Sequence, residues 1–176
     1  MGTAAFGINS NGDVVGEFAD ASGASHGYRL HDGKFKTITH PNALALPGLG
    51  TNIFNINDDG VIVGVYYTPT LPFAHGFRVH NNKFTPIDFP TGGGTFGTQA
   101  NGINNCNEIV GFYTDTVDNG HGFLLRNGKY ASIDFPGAAF TECHGINDNG
   151  VITGLYYDFL GISHGFVSVP HDGDDD

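Results

Sequence analysis

At 176 residues the chain can bury a core, and its formal charge of -11, with only 7 Lys and Arg against 18 Asp and Glu, lacks the clustered cations that nucleic acid or an anionic membrane demands. With 28 Gly, 8 Pro, no Trp and many β-branched and aromatic residues it reads as turn-rich all-β, without a stripe at helical spacing or an apolar run long enough to span a bilayer. Met1-Gly2-Thr3 lacks the regions of a signal peptide and reads as a mature terminus, which leaves export open.

The chain repeats itself. An Ile-Asn pair ends a strand-like segment at Asn9, Asn57, Asn104 and Asn147, and a His-Gly pair opens another at His26, His75, His121 and His164. Thr3, Thr51, Thr98 and Thr141 keep step before the Asn, and Gly16, Gly64, Gly111 and Gly154 keep step after it. Intervals of 43 to 49 residues suit four short strands and their turns, the content of one propeller blade. The expected fold is therefore an all-β propeller of four blades, each a four-stranded antiparallel meander. The copies run about 3–50, 51–97, 98–140 and 141–169 in a single domain.

In chain order, each copy divides into strands A to D. Strand A covers 3–9, 51–57, 98–104 and 141–147, and it turns through Ser10-Asn11-Gly12, Asp58-Asp59-Gly60, Asn105-Cys106-Asn107 or Asp148-Asn149-Gly150, residues that tolerate a positive φ. Strand B follows as in Val61-Ile62-Val63-Gly64-Val65-Tyr66-Tyr67, and strand C starts at the His-Gly pair. Strand D is Lys-Phe-x-x-Ile or its Tyr130 variant, at 34–38, 83–87 and 129–133. Copy four has no such piece, so the last blade is incomplete at 15 strands, and 170–176 reads as an acidic, disordered tail. A monomeric four-bladed ring closed through its inner strands, an open part of a larger propeller, and a ring-sharing homo-oligomer all accommodate that count.

The pattern G-I-N-x-x-G-x-I-V-G-x-Y, then H-G-F-L, then F-x-x-I-D-F-P-G-A resembles the HAF-type repeats, a family of probable extracellular repeats in bacterial proteins, over roughly residues 5–168. That family's triplet is His-Ala-Phe, whereas Gly stands in the middle here and Tyr28 replaces the Phe once. The resemblance implies a secreted or cell-surface bacterial protein and carries no catalytic residues with it.

Four histidines about a pseudo-fourfold axis suggest a metal site, but strand C lies two strand spacings, about 10 Å, outside strand A, too far for opposed imidazoles to share an ion. Each His is instead expected to bond within its own blade, to Asp88 or Asp134 for example. The Asn-Asp-rich turns are too short for a calcium hand, so no cofactor is implied, although acidic turns leave weak binding of a divalent cation open. Cys106 in a turn and Cys143 down its strand are too far apart to bridge, which predicts free thiols.

Where the copies disagree, function enters. On strand A, Gln99 and Asn101 in copy three and Glu142 and His144 in copy four replace apolar residues near the expected channel. Alternation places Glu142, His144 and Ile146 on one face. A carboxylate beside an imidazole can serve as general acid and base or as half a metal site, so Glu142 and His144 are the catalytic candidates, against a channel polar for solvation alone. The longer B–C and D–A loops gather at the other end of the blades: Thr68 to Ala74, Asp158 to Ser163, Gly92-Gly93-Gly94, and the insertion Pro41 to Gly50. Tyr67, Phe73, Tyr157 and Phe159 there suit stacking on a glycan, small molecule or protein, or capping of the core. Esterase, zincin, dithiol and phosphate-loop signatures are absent, and so is a glycosylation acceptor.

Overall fold

Short apolar segments separated by Asn, Asp and Gly can satisfy their backbone groups only by pairing with a neighbour, and the tight turns make that neighbour the next segment in the chain. The computed structural model of the protein describes residues 2–90 and 94–169. Its first meander is β1 (Thr3–Ile8), β2 (Val14–Ala19), β3 (Ser25–His31) and β4 (Lys34–Ile38), and its second is β5 (Thr51–Ile56), β6 (Ile62–Tyr67), β7 (Ala74–His80) and β8 (Lys83–Pro86). The third is β9 (Thr98–Ile103), β10 (Ile109–Thr114), β11 (Gly120–Arg126) and β12 (Lys129–Ile133). The fourth is β13 (Phe140–Ile146), β14 (Ile152–Tyr157) and β15 (Ser163–Ser168). Strand bounds match the sequence reading to about a residue. The tail from 170 onward, and Gly92-Gly93, lie outside the described residues.

The protein is all-β, and neighbouring strands within each meander run antiparallel. Hydrogen bonding divides the strands into two four-stranded sheets and one of seven strands. The seven-stranded sheet is the third and fourth meanders joined by one parallel pairing, Gly120 to Phe140. Single parallel bridges, Ser25 to Gly50 and Ala74 to Gly97, occupy the same corner between the other meanders. All three junctions therefore have the same hydrogen-bonded corner.

Three cores lie between the meanders rather than within them. The trailing face of the first (Val15, Ile38) packs on the leading face of the second (Ile53, Ile56, Tyr66, Phe77). Val63 and Ile87 then meet Ala100, Ile103, Tyr113 and Phe123, and Val110 and Ile133 meet Cys143, Ile152 and Phe166. The His-Gly glycines allow this approach: a Cβ at Gly122 would sit 2.7 Å from Cys143 Sγ, and one at Gly27 would strike the Ile53 side chain. β1 packs beside β5, β5 beside β9 and β9 beside β13, but no comparable packing joins β13 to β1. The sheets are not closed, in contrast to the ring of four that the repeat count suggested. The reason is geometric, since a junction repeated three times fixes its own rotation and the number of copies in the chain does not adjust it.

Strand A carries a β-bulge in every copy, at Phe6, Phe54, Asn101 and His144. The extra residue shifts the alternation, so Ile146 joins Cys143 at the core and does not share a face with Glu142.

Candidate functional site

Two ends and an inner row of the meanders hold the chemistry. At the long-loop end each His-Gly histidine is bracketed within its own meander. His75 bonds Asp88 at 3.1 Å, and His121 bonds Asp134 at 2.7 Å and Asp115 at 3.3 Å. His26 uses Thr39 and Asp20, and His164 uses Asp158. Each ring also stacks on the strand-B aromatic beside it: Phe18, Tyr66, Tyr113 or Tyr156. A residue from the preceding linker covers the far side of that aromatic in three copies, His40 on Tyr66 at 3.6 Å, Phe89 on Tyr113 at 3.7 Å and Phe135 on Tyr156 at 3.8 Å. Burial, with the charge of His75 nearby, holds His40 down at about 4, so it stacks as a neutral ring. Burial alone would lower His121 as well, but its bonds to Asp134 and Asp115 raise it overall. These histidines are structural clasps. Among the described residues no cluster of three or more His, Cys, Asp or Glu is arranged to hold a metal ion.

The polar row on strand A is assembled. His144 Nε2 and Glu142 Oε2 lie 2.9 Å apart with the imidazole half-exposed. Gln99 Nε2 donates to Asn101 Oδ1 at 2.8 Å, and the Asn101 amide donates to the Cys143 carbonyl at 2.9 Å, which ties the row across the junction. Cys143 is buried behind it, and burial pushes its thiol up to about 12; Cys106 is exposed, and both cysteines are free. Among the described residues no nucleophile joins the Glu142–His144 pair.

One feature escaped the repeat pattern. Glu17 stands where Val65 and Phe112 stand in later copies, and its Oε2 and the Asn52 Oδ1 are buried without a hydrogen-bond partner. Burial raises the Glu17 carboxyl above its ordinary value, with Asn52 opposing the shift. The signal was present in the sequence as a charge in a strand-B apolar position.

At the loop end, Phe73 and Phe159 are exposed, the latter by 81%. Tyr67 and Tyr157 instead pack edge-on to Phe96 and Phe140, at 6.4 and 6.0 Å, within an aromatic row that continues through Phe112. Leu46, Leu71, Val117, Leu160 and Ile162 are also exposed on these loops. The insertion Pro41 to Gly50 lies over the first meander's loop, with Gly48 N–H bonded to the Gly23 carbonyl. The opposite, tight-turn end holds ion pairs: buried Asp13, held at about 2, takes Arg29 and His31, and Glu108 takes Arg126. Burial acts against that shift, and hydrogen bonds from Arg29, Asn9 and His31 overcome it.

The overall fold is similar to that of a known protein. The chain is similar to a triple arginine-to-alanine variant of AofleA from Arthrobotrys oligospora, with a TM-score of 0.56 and 16% identity over 97% of this chain and 54% of that one. It thus spans about half the length of the structure that it matches, and the likeness is one of fold. No protein-family model and no curated protein matches the chain.

All seven Lys and Arg side chains, Arg29, Lys34, Lys36, Arg78, Lys83, Arg126 and Lys129, lie on strands C and D. The loop end therefore combines exposed apolar groups with aspartates and no Lys or Arg, which selects against an anionic ligand.

Proposed function

We propose that the chain is a propeller-type binding module, secreted or at the cell surface, whose meanders are blades and whose loop end takes a glycan, small molecule or protein that is neutral or basic. The observation that carries this reading is the segregation of exposed apolar side chains: apart from Phe6 on strand A and those on the two end faces of the arc, they gather on the B–C and D–A loops. Rigid meanders beneath loops of variable length are the usual support for recognition surfaces. Arrays of neutral and sulfated glycans, and of basic and acidic peptides, probed with labelled protein, test it. Binding to neutral or basic members that is lost in the Phe73→Ala/Phe159→Ala variant supports the reading. Binding confined to anionic members, binding indifferent to those substitutions, or no binding to any member overturns it.

The 2.9 Å contact of Glu142 with His144 favours a second reading, a small enzyme or metal-binding protein using that polar row together with Gln99 and Asn101. A thermal shift on adding a divalent cation, abolished by Glu142→Gln, is the expected signature; an unchanged melt rejects it.

A further inference from the structure

The two ends of the arc are complementary to each other. On the leading faces, Ile53, Ala100 and Cys143 are fully buried by the preceding meander, whereas Ala5 at the same position of the first meander is exposed. Ile56 and Ile103 are 3% and 5% exposed, and Ile8 is 68% exposed. On the trailing faces, a Cβ at Gly27 or Gly122 would collide with the next meander and one at Gly76 would come within 3.4 Å of the Thr98 side chain, but one at Gly165 meets only the Gly154 carbonyl, at 4.0 Å. Val167 beside it lies bare.

A hydrogen-bond ladder runs through the tight turns in the same sense. The Asn9 amide donates to the Asn57 carbonyl at 3.0 Å, Asn57 to Asn104 at 3.1 Å, and Asn104 to Asn147 at 3.0 Å. One residue on, Ser10 N–H donates to Asp58, Asp58 N–H to Asn105, and Asn105 N–H to Asp148. The ladder stops with the Asn147 amide and the Asp148 N–H donating to nothing among the described residues. At its other end, the Asn9 carbonyl and the Ser10 hydroxyl are acceptors that no preceding turn uses.

We propose that the trailing face of meander four receives the leading face of meander one from a second copy of this chain, head to tail. Gly165 would then take Ala5, and the Asn147 and Asp148 donors would meet Asn9 and Ser10. The occupant is a second copy because the contact continues an interface that the chain already makes three times, and meander one carries the matching leading face. A heterologous contact closes or polymerises according to its rotation, and two copies give eight meanders, within the four to eight blades of propellers. That closure rests on the propeller reading; the contact itself does not, and it is independent of what the loop end binds. Thr153 replaces the Val found at Val15, Val63 and Val110, and among the described residues no fourth strand extends the face, so this junction is weaker than the internal ones and dissociates on dilution.

Sedimentation velocity with light scattering across a micromolar to submillimolar series tests it. The expected mass is twice the 18.6 kDa of the chain, falling to that of one chain on dilution. Gly165→Val, whose side chain has open space in a single copy, is expected to keep the thermal melt of the single chain yet remain monomeric. Ala5→Arg blocks the opposite face, and mixing the two variants restores a heterodimer through the one intact pair of faces. A monomer at every concentration overturns the proposal, as does a dimer that neither substitution disrupts. Larger species that Gly165→Val collapses to single chains support the contact and overturn the two-copy ring.

Discussion

Removing one rung of the asparagine ladder weighs the energy of the junctions. Asn57 is 3% exposed; its Oδ1 accepts the Val61 N–H at 2.9 Å and its amide donates to the Asn104 carbonyl at 3.1 Å. In Asn57→Ala the Val61 N–H is left buried without a partner, a cost of about 1–3 kcal/mol, and the amide's two bonds across the junction, to the Asn104 carbonyl and to Asn107 Oδ1, together worth about 1 kcal/mol net, are lost. The Asn104 carbonyl keeps the Asn107 N–H at 3.1 Å, so it adds no orphan penalty. The sum is about 2–4 kcal/mol, and at about 2–4 °C per kcal/mol for a chain of this size the melting temperature drops by about 4–16 °C. Asn147 Oδ1 accepts the equivalent Val151 N–H and also the Asn149 N–H, but the residue is exposed and its amide reaches no following turn among the described residues. Water replaces what Asn147→Ala removes, at about 0.5–1 kcal/mol. Both variants are measured by urea unfolding in the Gly165→Val background, where self-docking is blocked. Equal losses for the two within about 0.5 kcal/mol would refute the ladder as a source of stability.

Other outcomes follow from the same geometry. Gly122→Ala forces a methyl to 2.7 Å from Cys143 Sγ and 2.9 Å from the Ile133 carbonyl, and is expected to cost about 1–3 kcal/mol in urea unfolding; an unchanged midpoint would show that the junction is looser than described. His121 has a raised folded value, so its contribution is fully present below the unfolded value of about 6.5 and fades as pH rises through the elevated one; His121→Gln should flatten that limb of the stability profile. Asp115 behaves oppositely. Burial would raise it, but bonds from Asn119, Val117 and His121 pull it from 3.8 to about 2, so its share is present above 3.8 and is lost as pH falls toward 2. With an Ellman-type reagent one thiol per native chain, Cys106, reacts promptly, and Cys143, held at about 12 behind the junction, reacts only on unfolding; prompt reaction of both would contradict the buried position.

The pairing order of this chain was legible in its sequence because it is local. The Ile-Asn and His-Gly landmarks, the Asn, Asp and Gly turns, and the repeat of Lys-Phe-x-x-Ile name each strand and oblige it to pair with its neighbour, and the partnership of His75 with Asp88 and of His121 with Asp134 followed from one copy folding on itself. The bulge at His144 was not legible, because two residues opposing one is a property of the pair of strands and leaves Glu142-Cys143-His144 looking like simple alternation. The choice between stacking and capping at Tyr67 and Tyr157 stayed open in the sequence, because their half-buried packing against Phe96 and Phe140 depends on how linkers cross between meanders. Above all, the repeat count could not say whether the arc closes. Closure depends on the rotation at each junction, set by side chains such as Ile53 against Gly27 that meet only once two meanders are packed, so tertiary structure alone decided that Ile8 and Gly165 would face outward at its two ends.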